Sequence, residues 1–216
     1  MTHPNVDSAP TTRGNVIHWA GHYDQVVSLL TLGRRARLRQ MTIALARIQP
    51  GERVLEVGCG TGDVAIGACA PAGPHGSVSG IDAGPEMIAV ARAKAARAGV
   101  AVDFRVEPIE ALTYPDATFD IVLSSLMMHH LPDDLKRQGL AEIARVLKPG
   151  GRLLIVDVKR PSGRLGRGLH MLMLHGRLET AIQDLPAMLK DAGFVGIEAG
   201  ATEFGVLGFV RGQTRA

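Results

Sequence analysis

Val54-Leu55-Glu56-Val57-Gly58-Cys59-Gly60-Thr61-Gly62-Asp63 decides how the rest of this 216-residue chain is read. Three of its first four residues are apolar and two are β-branched, the composition of a buried strand. Three glycines in five positions follow, and then the apolar-rich run Val64-Ala65-Ile66-Gly67-Ala68-Cys69-Ala70, which opens a helix. Strand, glycine turn and helix in that order put backbone N–H groups at the C-terminal edge of a sheet. A ligand can lie close there because no Cβ intervenes. The spacing Gly-x-Gly-x-Gly is not the Gly-x-Gly-x-x-Gly of dinucleotide sites, and Glu56 stands two residues before the first glycine. An acid at that point repels a pyrophosphate and suits a cationic ligand.

Downstream, Ser77–Ile81 is a second strand ending at Asp82. An acid at the tip of that strand is placed to accept hydrogen bonds from two ribose hydroxyls, and it could equally cap the helix that opens at Pro85. That helix runs to Ala98 and stops at Gly99. Val100–Val106 is read as a third strand and Phe119–Ser124 as a fourth, running into Ser125-Leu126-Met127-Met128-His129-His130-Leu131-Pro132-Asp133. A helix is expected from Asp133 to Leu147, then a turn and fifth strand over 148–157. A further helix is expected from Thr180 to Ala192, and 194–199 and 202–210 form a closing antiparallel pair.

Upstream, residues 1–15 are polar, and apolar residues at 26, 27, 30 and at 38, 41, 45, 48 fit two helices joined at Gly33. The basic run Arg34–Arg39 reads as a solvated helix face. The chain therefore divides into a mobile N-terminus and helical lid over 1–47 and a core over 48–216, with a glycine-rich lid insertion near 159–176. No internal repeat or dividing linker interrupts it.

Composition narrows the class. Hydrophobic residues make up 46% and charged residues 21%, ordinary for a globular domain. Aromatics at 4% argue against a stacking platform for nucleic acid, and a net charge of +3 permits an anionic partner without requiring one. Cys59 and Cys69 have no zinc-site spacing and read as small apolar fillers in a reducing compartment. No apolar run approaches the ~20 residues of a membrane span, and the first residues lack a signal-peptide pattern, so a cytoplasmic protein with no integral membrane segment is expected.

Glu56-Val57-Gly58-Cys59-Gly60-Thr61-Gly62 resembles the first motif of class I S-adenosylmethionine (SAM) dependent methyltransferases. The run from Phe119 into Asp133 resembles their fourth motif, Lys148–Asp157 their turn and fifth strand, and Leu189-Lys190-Asp191-Ala192-Gly193-Phe194 a later segment. The resemblance covers about residues 48–210. With His22-Tyr23-Asp24 it is nearest to the ubiquinone/menaquinone biosynthesis methyltransferases and their small-molecule relatives. It implies an α/β fold, Rossmann-like and doubly wound, with a seven-stranded, mostly parallel sheet and one antiparallel strand.

The cofactor implied is SAM, held by Glu56, Gly58, Cys59, Gly60, Gly62, Asp82, Ala83, Met87, Ile109 and Ser124. In this assignment the three glycines give close approach, Met87 packs on the adenine edge and Ser124 lies under the methionine portion. The segment 107–120 resembles the family's adenine loop, except that Pro108 stands where an aspartate is usual. Glu107 or the Ile109 backbone is left to serve instead. His129, His130 and Tyr23 are the acid–base candidates, with His18 and His22 behind them. Asp157, at the tip of the fifth strand, either binds substrate or caps the next turn. No metal is expected, because Ser124 and Ser125 stand where metal-using relatives need a carboxylate.

The implied acceptor is a small, partly apolar molecule (quinone-like, polyketide or lipid-derived), with the patch Met171-Leu172-Met173-Leu174 as possible lid packing or substrate lining. Two other readings stand beside it. One is a macromolecule methyltransferase, whose Asn/Asp-Pro-Pro-Tyr/Phe signature is absent here. The other is a protein of this fold that binds SAM or its product without transfer. A homodimer is compatible with either.

Overall fold

The computed structural model describes residues 12–14, 33–160 and 181–216. Tyr23, His18, His22 and the 171–174 patch lie outside the described residues, as does most of the 159–176 insertion.

The elements alternate helix and strand as far as the third strand, after which the fourth follows without an intervening helix and the alternation resumes. They are α1 (Arg35–Ala46), β1 (Arg53–Val57), α2 (Asp63–Ala72), β2 (Ser77–Asp82), α3 (Pro85–Ala98), β3 (Asp103–Val106), β4 (Phe119–Ser125), α4 (Asp133–Val146) and β5 (Leu147–Val158). They close with α5 (Leu185–Asp191), β6 (Val195–Ala201) and β7 (Leu207–Gln213). The strands form one sheet in the order 3-2-1-4-5-7-6. β1 to β5 pair in parallel, and β7 runs antiparallel to both β5 and β6. The expected sheet, with its one antiparallel strand, is the observed one.

Central strands of a parallel sheet are covered on both faces, so they carry continuous apolar runs. Val54, Leu55 and Val57 of β1 and Ile121, Val122 and Leu123 of β4 are all fully buried. On one face Ala46, Ala65, Ala68, Ile88 and Ala91 of α1, α2 and α3 pack against Val54, Ile121 and Leu123. On the other, Leu140, Ile143 and Val146 of α4 and Leu185 and Leu189 of α5 pack against Leu55, Val122 and Ile155. Alanines dominate the first layer, which lets its helices lie close to the sheet.

Several expected boundaries move, each for a local reason. The third strand begins at Asp103 rather than Val100, because the Val100 N–H donates to the Ala95 carbonyl and completes the C-cap of α3. The helix expected from Thr180 begins at Leu185, after a 3-10 turn over Ile182–Asp184. Pro186 is tolerated in its first turn, and the Asp184 carboxylate accepts the Ala181 N–H at 2.9 Å. The last strand is Leu207–Gln213 rather than 202–210, since the Thr202 hydroxyl and Phe204 bond each other in a turn.

The basic run is not a free face. Arg35 pairs with Asp63 at the start of α2, and Arg37 pairs with Glu203 at 2.7 Å. The Arg34 guanidinium lies 4.9 Å from the Phe204 ring centre. These residues tie α1 to α2 and to the β6–β7 turn.

Candidate functional site

In an open sheet of this order the direction of winding reverses between β1 and β4, and the crevice beyond their C-terminal ends is the natural ligand site. Two hollows open there. The first is lined by Gly58, Gly60, Asp82, Ala83, Met87, Glu107, Pro108, Ile109 and Glu110 on one side, and by Leu126, Met127, His130 and Leu131 on the other. Thr12 and Gly14 contribute to its rim. The second is lined by Glu56, Cys59, Thr61, Asp63, Ser125 and, from α1, Arg35, Leu38 and Arg39. Gly58 and Leu126 line both.

The glycine turn builds this floor. Gly58 has φ of 66°, and a Cβ there would stand 2.1 Å from Met127 Cγ, so only glycine lets β1 and the β4 loop approach this closely. The Cys59 N–H donates to the Ile81 carbonyl at 2.8 Å and ties the turn to β2. Cys59 itself is buried on the wall of the second hollow, and burial pushes its thiol well above the ordinary range, so it stays protonated.

Gly62, predicted to give close approach to the cofactor, does something else. It lines neither hollow. It caps α2 with φ of 81°, and a Cβ there would lie 2.7 Å from Phe104 and 2.9 Å from Ala91. Gly62 therefore serves the packing of β3 and α3 on the turn.

Two carboxylates are fixed by backbone amides. Asp82 Oδ2 accepts the Gly60 N–H at 2.9 Å, and Oδ1 accepts the Gly84 N–H at 2.8 Å. The capping role and the ligand-facing role considered for Asp82 therefore coincide. Each oxygen keeps a further lone pair for a ligand hydroxyl. Burial raises its pKa, against the two amides that lower it. Glu56 is 2% exposed and its Oε2 accepts the Ala65 N–H at 2.8 Å, satisfying a donor in the first turn of α2. Burial, added to the charges of Asp63 and Asp82, raises its pKa well above the usual range despite that bond. A cation brought to the second hollow would reverse that cost.

Between β3 and β4, Ile109 lines the first hollow while its side chain packs against Gly139 of α4. Glu107 is engaged by Thr113, whose hydroxyl and N–H donate to its two oxygens at 2.6 and 3.2 Å. Its neighbour Glu110 also lines the hollow and receives the Thr12 hydroxyl at 2.5 Å. Ser124, predicted under the methionine portion, is buried in the sheet and lines neither hollow, and its hydroxyl has no partner among the described residues. The strand alternates faces, so Ser125 takes the lining position.

Beyond β4 the backbone is strained. Leu126 has φ of 54°, unusual for a branched side chain, and its N–H donates to the Val156 carbonyl at 2.9 Å. A 3-10 turn over Met128–His130 follows and brings the two histidines together, ring centres 3.9 Å apart. Asp157, 2% exposed at the end of β5, fixes His129. Its Oδ1 lies 2.6 Å from His129 Nδ1, and its Oδ2 accepts the His129 N–H at 3.1 Å. It also accepts the Val158 N–H at 2.7 Å. His130 lies on the wall of the first hollow, and burial, helped by His129, pushes its pKa down to about 4.

Residues that sequence reasoning passed over are Thr61, Asp63, Ser125, Leu126, Met127, Leu131, Glu110 and the segment Thr12–Gly14. Ser125, Leu126 and Met127 follow the fourth strand directly, so strand alternation could have found them. Thr12 carries no such signal.

A family profile described as a methyltransferase domain matches residues 54–151. The ubiquinone/menaquinone biosynthesis C-methyltransferase of Geobacter sulfurreducens is 36% identical over 70% of this chain, which spans 59% of that protein's length. A demethylmenaquinone methyltransferase of a Geobacillus species is 29% identical over 90% of this chain and 92% of its own. Phosphoethanolamine N-methyltransferase 2 of Haemonchus contortus, solved in complex with S-adenosyl-L-methionine, has the same fold. Its TM-score is 0.71 at 16% identity, covering 94% of this chain and 61% of that one. With the glycine turn, the strand-tip carboxylates and the strand order already described, the chain carries a methyltransferase domain similar to the class I SAM-dependent methyltransferases and resembles their ubiquinone/menaquinone branch.

Proposed function

We propose that this protein transfers the methyl group of SAM to a small, quinone-like acceptor. The observation that carries the reading is the Asp82 carboxylate, oriented by the Gly60 and Gly84 amides on the wall of a hollow floored by Gly58. The residues present fit the cofactor. Asp82 would take the ribose hydroxyls, and Ala83, Met87 and Ile109 would enclose the adenine. Gly58, Gly60 and Cys59 would pass beneath the chain of the ligand, and buried Glu56 would face the cationic amino-acid end. When bound, SAM supplies an electrophilic methyl on a sulfonium. The protein's own part is to align the two reactants and exclude water.

Leu126, Met127 and Leu131 give the far wall an apolar character suited to a partly apolar acceptor. Support for a quinone-like molecule comes from the relatives named as quinone and menaquinone methyltransferases. Among the described residues no helix is long and apolar enough to cross a membrane. The test is calorimetric binding of SAM, followed by release of S-adenosylhomocysteine with a prenylated naphthohydroquinone. Saturable binding with turnover is expected. Binding without turnover on quinone, phenol, amine and lipid acceptors would replace this reading with a non-transferring SAM-binding protein.

A further inference from the structure

The two histidines beyond β4 differ in what holds them. His129 is taken up by Asp157, through its ring and its backbone. A carboxylate only accepts, so the His129 Nδ1 carries the proton in that bond, and the ring is locked in one tautomer and one orientation. His130 makes no ring hydrogen bond with the described residues, lies against the His129 ring at a tilt of 41° and lines the first hollow beside Leu126, Met127 and Leu131.

We propose that His130 is the hydrogen-bond acceptor for a hydroxyl of the methyl acceptor, and that Asp157 is a positioning residue that holds His130 in place through His129. This rests on the methyltransferase reading above. The ring is suited to accept, because it is neutral at physiological pH: burial and His129 keep its pKa low. The groups that bear on it are His129 and Asp157 on its own side, and Asp82, Glu107 and Glu110 on the wall of the same hollow. As the acceptor reacts, the O–H bond breaks, the proton goes to the His130 lone pair and the electron pair stays on oxygen. The imidazolium formed is favoured by the Asp157 charge but disfavoured by burial and by His129, so it gives its proton on to solvent.

The assignment predicts recognition of a hydroxyl, which needs no turnover to measure. The probes are 1-naphthol and 1-methoxynaphthalene, titrated by fluorescence into the full chain saturated with S-adenosylhomocysteine. The wild type is expected to bind the naphthol at least about tenfold more tightly. His130→Leu is expected to abolish that preference while S-adenosylhomocysteine affinity stays within about threefold. Asp157→Asn, which keeps the side-chain volume, is expected to weaken naphthol but not methoxynaphthalene binding. His130→Gln, which can still accept a hydrogen bond but cannot take a proton, is expected to recover most of the naphthol preference and to lower kcat at unchanged acceptor KM. The proposal is overturned if the wild type binds both probes equally or neither, or if the preference survives in His130→Leu. Loss of S-adenosylhomocysteine binding by the wild type would instead overturn the methyltransferase reading.

Discussion

The tips of β1 and β2 and the tips of β4 and β5 face the same crevice and are built differently. At the first pair, the functional groups are carboxylates held by backbone amides from within a few residues or from the adjoining turn: Asp82 by Gly60 and Gly84, Glu56 by Ala65. At the second pair, a side chain is held by another side chain 28 residues away, Asp157 on His129, over a backbone strained at Leu126. The first arrangement is rigid because the turn itself is the partner. The second depends on the register of β4 against β5, which sets Ser125 beside Val156 and so brings Asp157 under the 3-10 turn. Cofactor sites can be generic and local, whereas acceptor sites are specific and assembled from distant segments.

The comparison can be broken most directly at Asp82. Asp82→Ala removes the acceptor of two turn amides and of the expected ribose contacts. A loss of SAM affinity of about 100-fold or more is expected by calorimetry, from hydrogen bonds to charge of about 1.5–3 kcal/mol each. Unchanged affinity would remove Asp82 from the site.

Gly62→Ala tests whether the third glycine of the turn belongs to packing. A Cβ in a left-handed conformation against Phe104 and Ala91 should cost roughly 2–4 kcal/mol of stability, read as a lowered midpoint in urea. The folded fraction should keep SAM affinity near that of the wild type. A selective loss of affinity would return Gly62 to the cofactor.

Glu56→Gln sharpens the role of the buried acid. The native Glu56 pKa lies above its unfolded value. The native state therefore holds more protons in the window between the ordinary carboxylate value and the raised one. Stability from this group is full below that window and is lost as pH rises through the native pKa. The glutamine variant should flatten this pH dependence and be the more stable protein at pH 8, while binding SAM more weakly. Denaturation at pH 5 and pH 8 measures the first part and calorimetry the second.

Leu126→Gly is expected to have the smallest effect on stability. Relief of the left-handed strain, about 1–2 kcal/mol, is offset by the backbone entropy of glycine, about 0.5–1 kcal/mol, and by lost packing. The melting temperature should move by only a few degrees, while the acceptor KM rises because an apolar wall is lost. A change in SAM affinity larger than in KM would tie Leu126 to the cofactor side.

Much of the fold was legible because its signals are local. Pro85 and Gly99 bound α3 as written, the apolar run of β1 announced a central strand, and the glycine turn announced the sheet edge. The boundaries that moved did so where a cap or turn competed for backbone groups, as at Val100, Pro186 and Thr202. Glu56, Gly58, Gly60 and Asp82 line the two hollows as expected, because strand-tip positions follow from strand ends. Gly62 and Ser124, expected at the cofactor, line neither hollow, because a motif shows that a residue is small or polar, and not which way the chain turns it.

The sequence by itself determined the class of fold and the glycine turn at the sheet edge, because strand periodicity, glycine conformation and helix punctuation are properties of neighbouring residues. Only the tertiary structure decided that Asp157 holds His129, that His130 is left facing the hollow, and that Glu56 is at once a buried acid and a partner of α2. Those facts depend on sheet register and on which groups burial strips of water. Both arise only when segments far apart in the chain are packed together.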